Sequence, residues 1–202
     1  MEVKERFIIL RKIKYSEADL ILHALSPRGE KLSFLARGAL KSKKRFGGGV
    51  LDPLHFVQFT YKQASNEGKM NTLSEATLLN DFKKVRQDYD HLELALHVLD
   101  CVSRVSQEGD HSSEALFNLL GNTLKSLESC QDVSLLKIHF YLKFLMQQGV
   151  LNPEPWMGPL LKTNIMESNS LAGDLALKKE ISLHSASMEF ITQQYLKTAE
   201  HH

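Results

Sequence analysis

Along the first 80 residues the apolar positions come in short runs, at 7–13, 20–25, 32–37, 55–61 and 72–78, each rich in branched or aromatic side chains. Turn chemistry separates them: Ser16-Glu17-Ala18-Asp19, Ser26-Pro27-Arg28-Gly29, a glycine-rich basic loop, and Ser65-Asn66-Glu67-Gly68. Val57, Phe59 and Tyr61 alternate with Gln58 and Thr60, the period of a half-buried strand. Five short strands with no helical pattern between them predict a small closed or partly open β-barrel. The five-stranded oligonucleotide-binding (OB) type is the leading candidate.

From Asp81 the period lengthens. Leu92, Ala95, Leu96, Leu99 and Val102 mark one helix face. Leu116, Leu120, Leu124 and Leu127 mark a second, and Leu135, Ile138, Leu142 and Leu145 a third. Gly109-Asp110 and residues 129–132 break the pattern, and Gly149 with Pro153 ends the third helix. Pro155 and Pro159 then enforce an irregular stretch. Residues 175–183 read as a short strand or turn, and 188–199 as a last helix. The fold class is therefore α+β and multidomain: an OB-type barrel over 1–80, then a helical domain over 81–202 with an irregular C-terminal region.

Charge sharpens this division. The 202 residues carry a net charge of +1, but residues 1–80 sum to +6 and residues 81–202 to −5. Cys101 and Cys130 are the only cysteines, each in an apolar setting, so a disulfide framework is not expected. No apolar run approaches the roughly 20 residues needed to cross a bilayer, and no leader pattern opens the chain. The expectation is a soluble, reduced, cytoplasmic protein with no membrane association.

The positive charge is concentrated. Arg37, Lys41, Lys43, Lys44 and Arg45 fall within ten residues that end at Phe46, and Gly47, Gly48 and Gly49 follow. No carboxylate lies between Glu30 and Asp52. Such a segment suits a polyanion, although most charge runs are only solvated surface. The glycines do not form a phosphate-cradling loop, because the Gly-Lys-Ser/Thr ending is missing.

Catalytic constellations are otherwise absent. There is no Gly-x-Ser-x-Gly, His-Glu-x-x-His or Cys-x-x-Cys. His97 and Cys101 share a helical face at a spacing that could offer two zinc ligands, but two more are not evident, and a packed cysteine is the default. Asp88, Asp90 and Glu93 gather at a helix start, where negative charge is ordinarily favourable. Neither an enzyme nor a cofactor is expected.

Several segments resemble one family. Phe7-Ile8-Ile9-Leu10-Arg11, Tyr15 to Leu22, and Gly29-Glu30-Lys31-Leu32 are similar to the opening of the bacterial RecO DNA-repair proteins. The most specific block is Ala36-Arg37-Gly38-Ala39 through Lys43-Lys44-Arg45-Phe46-Gly47-Gly48, then Leu51-Asp52-Pro53-Leu54. Leu73-Ser74-Glu75-Ala76, Phe82, Arg86-Gln87-Asp88 and Gly149-Val150-Leu151-Asn152-Pro153 continue the likeness. Two features depart from the pattern. Leu54 stands where an aromatic is usual, and no cysteine follows Cys130, so the four-cysteine zinc site of many members is not expected.

The resemblance implies a non-enzymatic recombination mediator that binds single- and double-stranded DNA. It would anneal strands coated by single-strand-binding protein, recognising that protein's acidic C-terminal tail, and would work with RecR to load RecA. The residues expected to contact phosphates are Arg37, Lys41, Lys43, Lys44 and Arg45, with Arg11, Arg28 and Lys31 extending the track. Phe46 is open to two roles, stacking on a base or anchoring the loop to the barrel. Two other readings of the basic barrel are an RNA-binding accessory factor and a protein-interaction scaffold with a solvated loop.

Overall fold

The computed structural model describes residues 2–64, 70–107 and 114–199. The expected turn at 65–68 and the helix break at Gly109-Asp110 lie outside them. The chain divides into two compact units, Met1–Phe82 with Ser106–Phe117, and Lys83–Val105 with Asn118–His202.

In the first unit five strands, β1 (Glu2–Lys14), β2 (Leu20–Leu25), β3 (Lys31–Ala36), β4 (Phe56–Lys62) and β5 (Asn71–Asn80), close into a barrel in the order β1-β2-β3-β5-β4. All pairings are antiparallel except β3 with β5. This is the expected OB-type arrangement. β1 is long enough to serve two partners: Glu2–Ile8 runs beside β4, and Ile8–Lys14 beside β2. A bulge between Ile9 and Arg11 turns the strand from one to the other. Alternation is kept on the way into the bulge: Phe7 and Ile9 belong to the barrel core, whereas Ile8 and Leu10 are buried outside that cluster.

Aromatic rings fill the barrel. Phe34 lies 5.1 Å from Phe7, 5.1 Å from Phe59 and 5.0 Å from Tyr61 between centroids, each edge to face. The β3–β4 connection adds Ala39, Phe46, Val50 and Leu51 to this core. Its far end is tied to the β1 bulge: Leu54 N–H donates to Ile9 O at 2.9 Å, and Ile9 N–H to His55 O at 3.0 Å. Leu54 is buried there with φ of +73°, a left-handed conformation that a leucine adopts at a cost of about 1–2 kcal/mol.

The second unit is helical, with α2 (Tyr89–Val105), the later part of α3 (Glu114–Leu127), α4 (Val133–Gln147), α5 (Gly158–Lys162) and α6 (Leu175–Ala199). α4 is apolar around most of its circumference and sits centrally, packed by α2, α5 and α6. Capping fixes the ends. Asp132 Oδ1 accepts from Leu135 N–H, and Asp174 Oδ1 from Leu177 N–H, both at 3.0 Å. α4 stops at Gly149, φ +71°, where Val150 N–H reaches Leu145 O and Gly149 N–H reaches Met146 O.

One expectation is corrected here. Residues 175–183 are the first turns of α6 and not a strand or turn. Leu177, Ile181, Met188, Thr192 and Leu196 form its buried face at helical spacing. Exposed Leu175, Leu183 and Phe190 blur that period in the sequence.

Candidate nucleic-acid interface

The basic segment is built as a short capped turn. Gly38 leaves β3 with φ of +64°, and Ser42 caps the four-residue helix α1 (Lys43–Phe46), its hydroxyl accepting from Arg45 N–H. One turn of helix sends Lys43 and Lys44 to solvent while Phe46 points inward. Phe46 retains 6% exposure within the barrel core, so of its two open roles the structure realises the anchor. A ring buried in this way is not presented to a base.

The five cations of the loop separate into two kinds. Arg45 folds back on its own loop: one guanidinium nitrogen donates to Arg37 O at 2.9 Å, Nε donates to Ser42 Oγ at 3.2 Å, and the group lies 5.0 Å from the Phe46 ring centroid. It braces the loop. Arg37, Lys41, Lys43 and Lys44 are exposed, and none forms an ion pair among the described residues. Asp52, the next carboxylate along the chain, pairs with Lys12 instead.

A second loop belongs to the same end of the barrel. Lys14 pairs with Leu20, which pairs with Ala36, so the β1–β2 turn and the β3 exit lie side by side. They are joined by hydrogen bonds from Gly38 N–H to Asp19 Oδ1 at 2.7 Å and from Leu40 N–H to Ala18 O at 3.0 Å. This brings exposed Lys14 and Tyr15 beside the cationic loop. Neither is singled out by the sequence reading. The usable signal was the Ser-Glu-Ala-Asp turn, which places the preceding Tyr15 at a strand exit.

The other expected residues lie elsewhere. Leu25 pairs with Lys31 at the opposite end of the β2–β3 hairpin, about 16 Å along the strand, and Arg28 sits in the turn between them. Arg28 pairs there with Glu5 at 3.4 Å, and Lys31 is half-buried. Arg11, opposite His23, is exposed midway. The structure gathers Arg37, Lys41, Lys43, Lys44 and Arg45 and separates Arg28 and Lys31 from them.

The polar groups of the helical unit are used structurally. Asp88 Oδ1 accepts from His91 N–H in the first turn of α2. His97 Nε2 lies 2.7 Å from the Tyr141 hydroxyl and 3.7 Å from Cys101 Sγ. Burial pushes the Cys101 thiol up to about 12 and lowers the His97 imidazole. No group of three or more potential ligands occurs among the described residues, and no described helix is long and apolar enough to cross a membrane. A cavity of about 460 Å³ between α2, α4 and α6 carries Asp90, Glu93 and Glu189 against Lys137 and His97. Its sign is wrong for an acidic peptide.

Residues 1–82, which include the whole barrel, match the family described as Recombination protein O N terminal. The DNA repair protein RecO of Desulfatibacillum aliphaticivorans is 33% identical over 144 residues, which is 71% of this chain and 55% of that protein. Through its barrel, the chain resembles the RecO proteins. The RecO protein of Maridesulfovibrio salexigens is 32% identical over 156 residues, covering 76% of this chain and 61% of the relative. That of Rubrobacter xylanophilus is 30% identical over 147 residues, covering 72% and 57%. The chain thus spans between half and two thirds of the length of these RecO relatives. The residues matched by that family include the cationic loop.

Proposed function

We propose that this chain is a DNA-repair recombination mediator that binds the phosphate backbone of DNA without sequence preference through the loop after β3. The observation that carries this reading is the group of exposed cations, Arg37, Lys41, Lys43 and Lys44, without ion-pair partners among the described residues. They stand on a turn that Phe46 and Arg45 hold against the barrel. Backbone contacts carry no sequence information, which is what annealing any two complementary strands requires. Screening the repulsion between two strands needs no reacting group, so the role is non-enzymatic. Arg11 continues the surface midway along β1, and Arg28 and Lys31 serve only a strand long enough to reach the far end of the hairpin.

On this reading the chain anneals strands covered by single-strand-binding protein and acts with RecR in loading RecA. The helical unit supplies protein contacts, including a seat for the acidic tail of single-strand-binding protein. The similarity to RecO proteins supports these partners.

The test is binding of a fluorescent single strand across a salt series, for the native chain and a Lys41→Glu/Lys43→Glu/Lys44→Glu variant. Neutralising about four phosphates on a single strand gives a slope of log affinity on log salt near −3. The variant should flatten that slope. Equal binding and equal slopes for the two proteins would move the DNA site off this loop. Preference for a matched RNA strand would favour the accessory-factor reading instead.

A further inference from the structure

An exposed aromatic stands beside the unpaired cations without a structural task. Tyr15 is 62% exposed, and its ring makes no ring-ring or cation–π contact and its hydroxyl no hydrogen bond among the described residues. The other four tyrosines include three that are visibly employed: Tyr61 and Tyr141 are buried, and Tyr195 donates to Gln148 Oε1. Leu40 is 52% exposed on the adjoining loop, bonded through its N–H to Ala18. Both loops are held: Tyr15 N–H donates to Asp19 O at 3.0 Å, and the Asp19 carboxylate accepts from Gly38. A turn cross-linked in this way keeps an exposed side chain in place, which lowers the ordering cost of binding. Lys14 precedes Tyr15, and Arg37, Lys41 and Lys43 lie within three residues of Leu40; all four are exposed, and Glu17 is the one exposed carboxylate of the turn.

We propose that Tyr15 receives an unpaired base of a single strand whose phosphates lie on the neighbouring cations, with Leu40 as a second apolar contact. A flat aromatic face within a cationic surround is the arrangement that binds unstacked bases irrespective of sequence. A base paired inside a duplex offers no free face, so Tyr15 confers preference for single strands over duplex. The cations attract both alike. This assignment rests on the phosphate-binding reading of the loop and adds to it the group that distinguishes the two forms of DNA.

The experiment compares the native chain, Tyr15→Ala and Tyr15→Phe. The probes are a labelled thymidine homopolymer, a strand of equal length with abasic sites in place of the bases, and a duplex. Tyr15→Ala should bind the homopolymer about tenfold more weakly. It should bind the abasic strand and the duplex as the native chain does, with the same salt slope throughout. Tyr15→Phe should keep the native preference, because the ring and not the hydroxyl makes the contact. Circular dichroism should show all three folded alike. Equal binding of the homopolymer by native chain and Tyr15→Ala, or an equal loss on homopolymer and abasic strands, overturns the stacking role. Either result with a steep salt slope leaves phosphate binding by the loop standing. A flat slope that ignores Lys41, Lys43 and Lys44 overturns the loop reading, and no binding by the native chain overturns both.

Discussion

The Asp19 carboxylate accepts a 2.7 Å hydrogen bond from the backbone N–H of Gly38, tying the β1–β2 turn to the first residues of the cationic loop. A bond to a charged acceptor contributes about 2 kcal/mol. Asp19→Ala should therefore loosen both loops while leaving the barrel strands intact. Hydrogen exchange is the direct measurement: the amides of Gly38 and Leu40 should exchange roughly 30-fold faster in the variant. Asp19→Asn, which keeps an acceptor, should show a smaller effect. Unchanged protection would mean that the loops are held by Phe46 and its neighbours alone.

Phe46 is predicted to matter for stability and not for base contact. Phe46→Ala should cost about 4 kcal/mol by emptying part of the barrel core. Phe46→Leu should cost about 1 kcal/mol and bind DNA with native affinity and slope. Urea unfolding followed by near-ultraviolet circular dichroism reads the first effect. A strand titration reads the second, and a tenfold loss of affinity in the folded Phe46→Leu variant would return the ring to the interface.

The helical unit carries a pH-dependent element at His139. The residue is fully buried; Nε2 donates to the Thr163 carbonyl at 3.2 Å, and Nδ1 lies 2.6 Å from Ser168 Oγ. Burial lowers its pKa from 6.5 to about 4, so the folded unit holds it neutral where the unfolded chain would protonate it. Stability from this residue is complete above pH 6.5 and is lost as pH falls toward about 4. The loss approaches roughly 3 kcal/mol at 1.36 kcal/mol per pH unit. Unfolding followed by the fluorescence of Trp156, in the same unit, should show it. A His139→Gln variant should be less stable at neutral pH and have a shallower decline between pH 6.5 and 4.

The two thiols should differ in reactivity. Cys101 is fully buried and its thiol is pushed up to about 12, whereas Cys130 is half-buried and raised less. A thiol-disulfide reagent at pH 8 should titrate Cys130 in the native chain and reach Cys101 only in urea. Rapid native labelling of Cys101 would contradict its burial on α2 beside His97.

The β-period of the first 80 residues, the helical period after Asp81 and the cationic run from Arg37 to Arg45 were legible because each is local. Alternation and 3.6-residue spacing report which face of one element is apolar, and net charge is additive along the chain. For the same reason Gly149 marks its helix end correctly, since a left-handed cap is a property of a few adjacent residues. Residues 175–183 misled because exposed Leu175 and Leu183 on the outer face of α6 mask the buried spacing of Leu177 and Ile181.

What a side chain does once the elements meet was not legible. Sequence alone gave Phe46 two roles and treated the loop cations as equivalent; the structure buries Phe46, turns Arg45 into a brace and leaves Arg37, Lys41, Lys43 and Lys44 exposed. Arg28 and Lys31 belonged to one track in the sequence, yet antiparallel pairing carries them to the far end of the β2–β3 hairpin. The same pairing brings Tyr15, more than twenty residues upstream, beside Arg37 and Leu40. Strand type and charge are set by neighbours in the chain. Which groups share a surface is set by register and closure of the barrel, contacts between distant residues that no local pattern encodes.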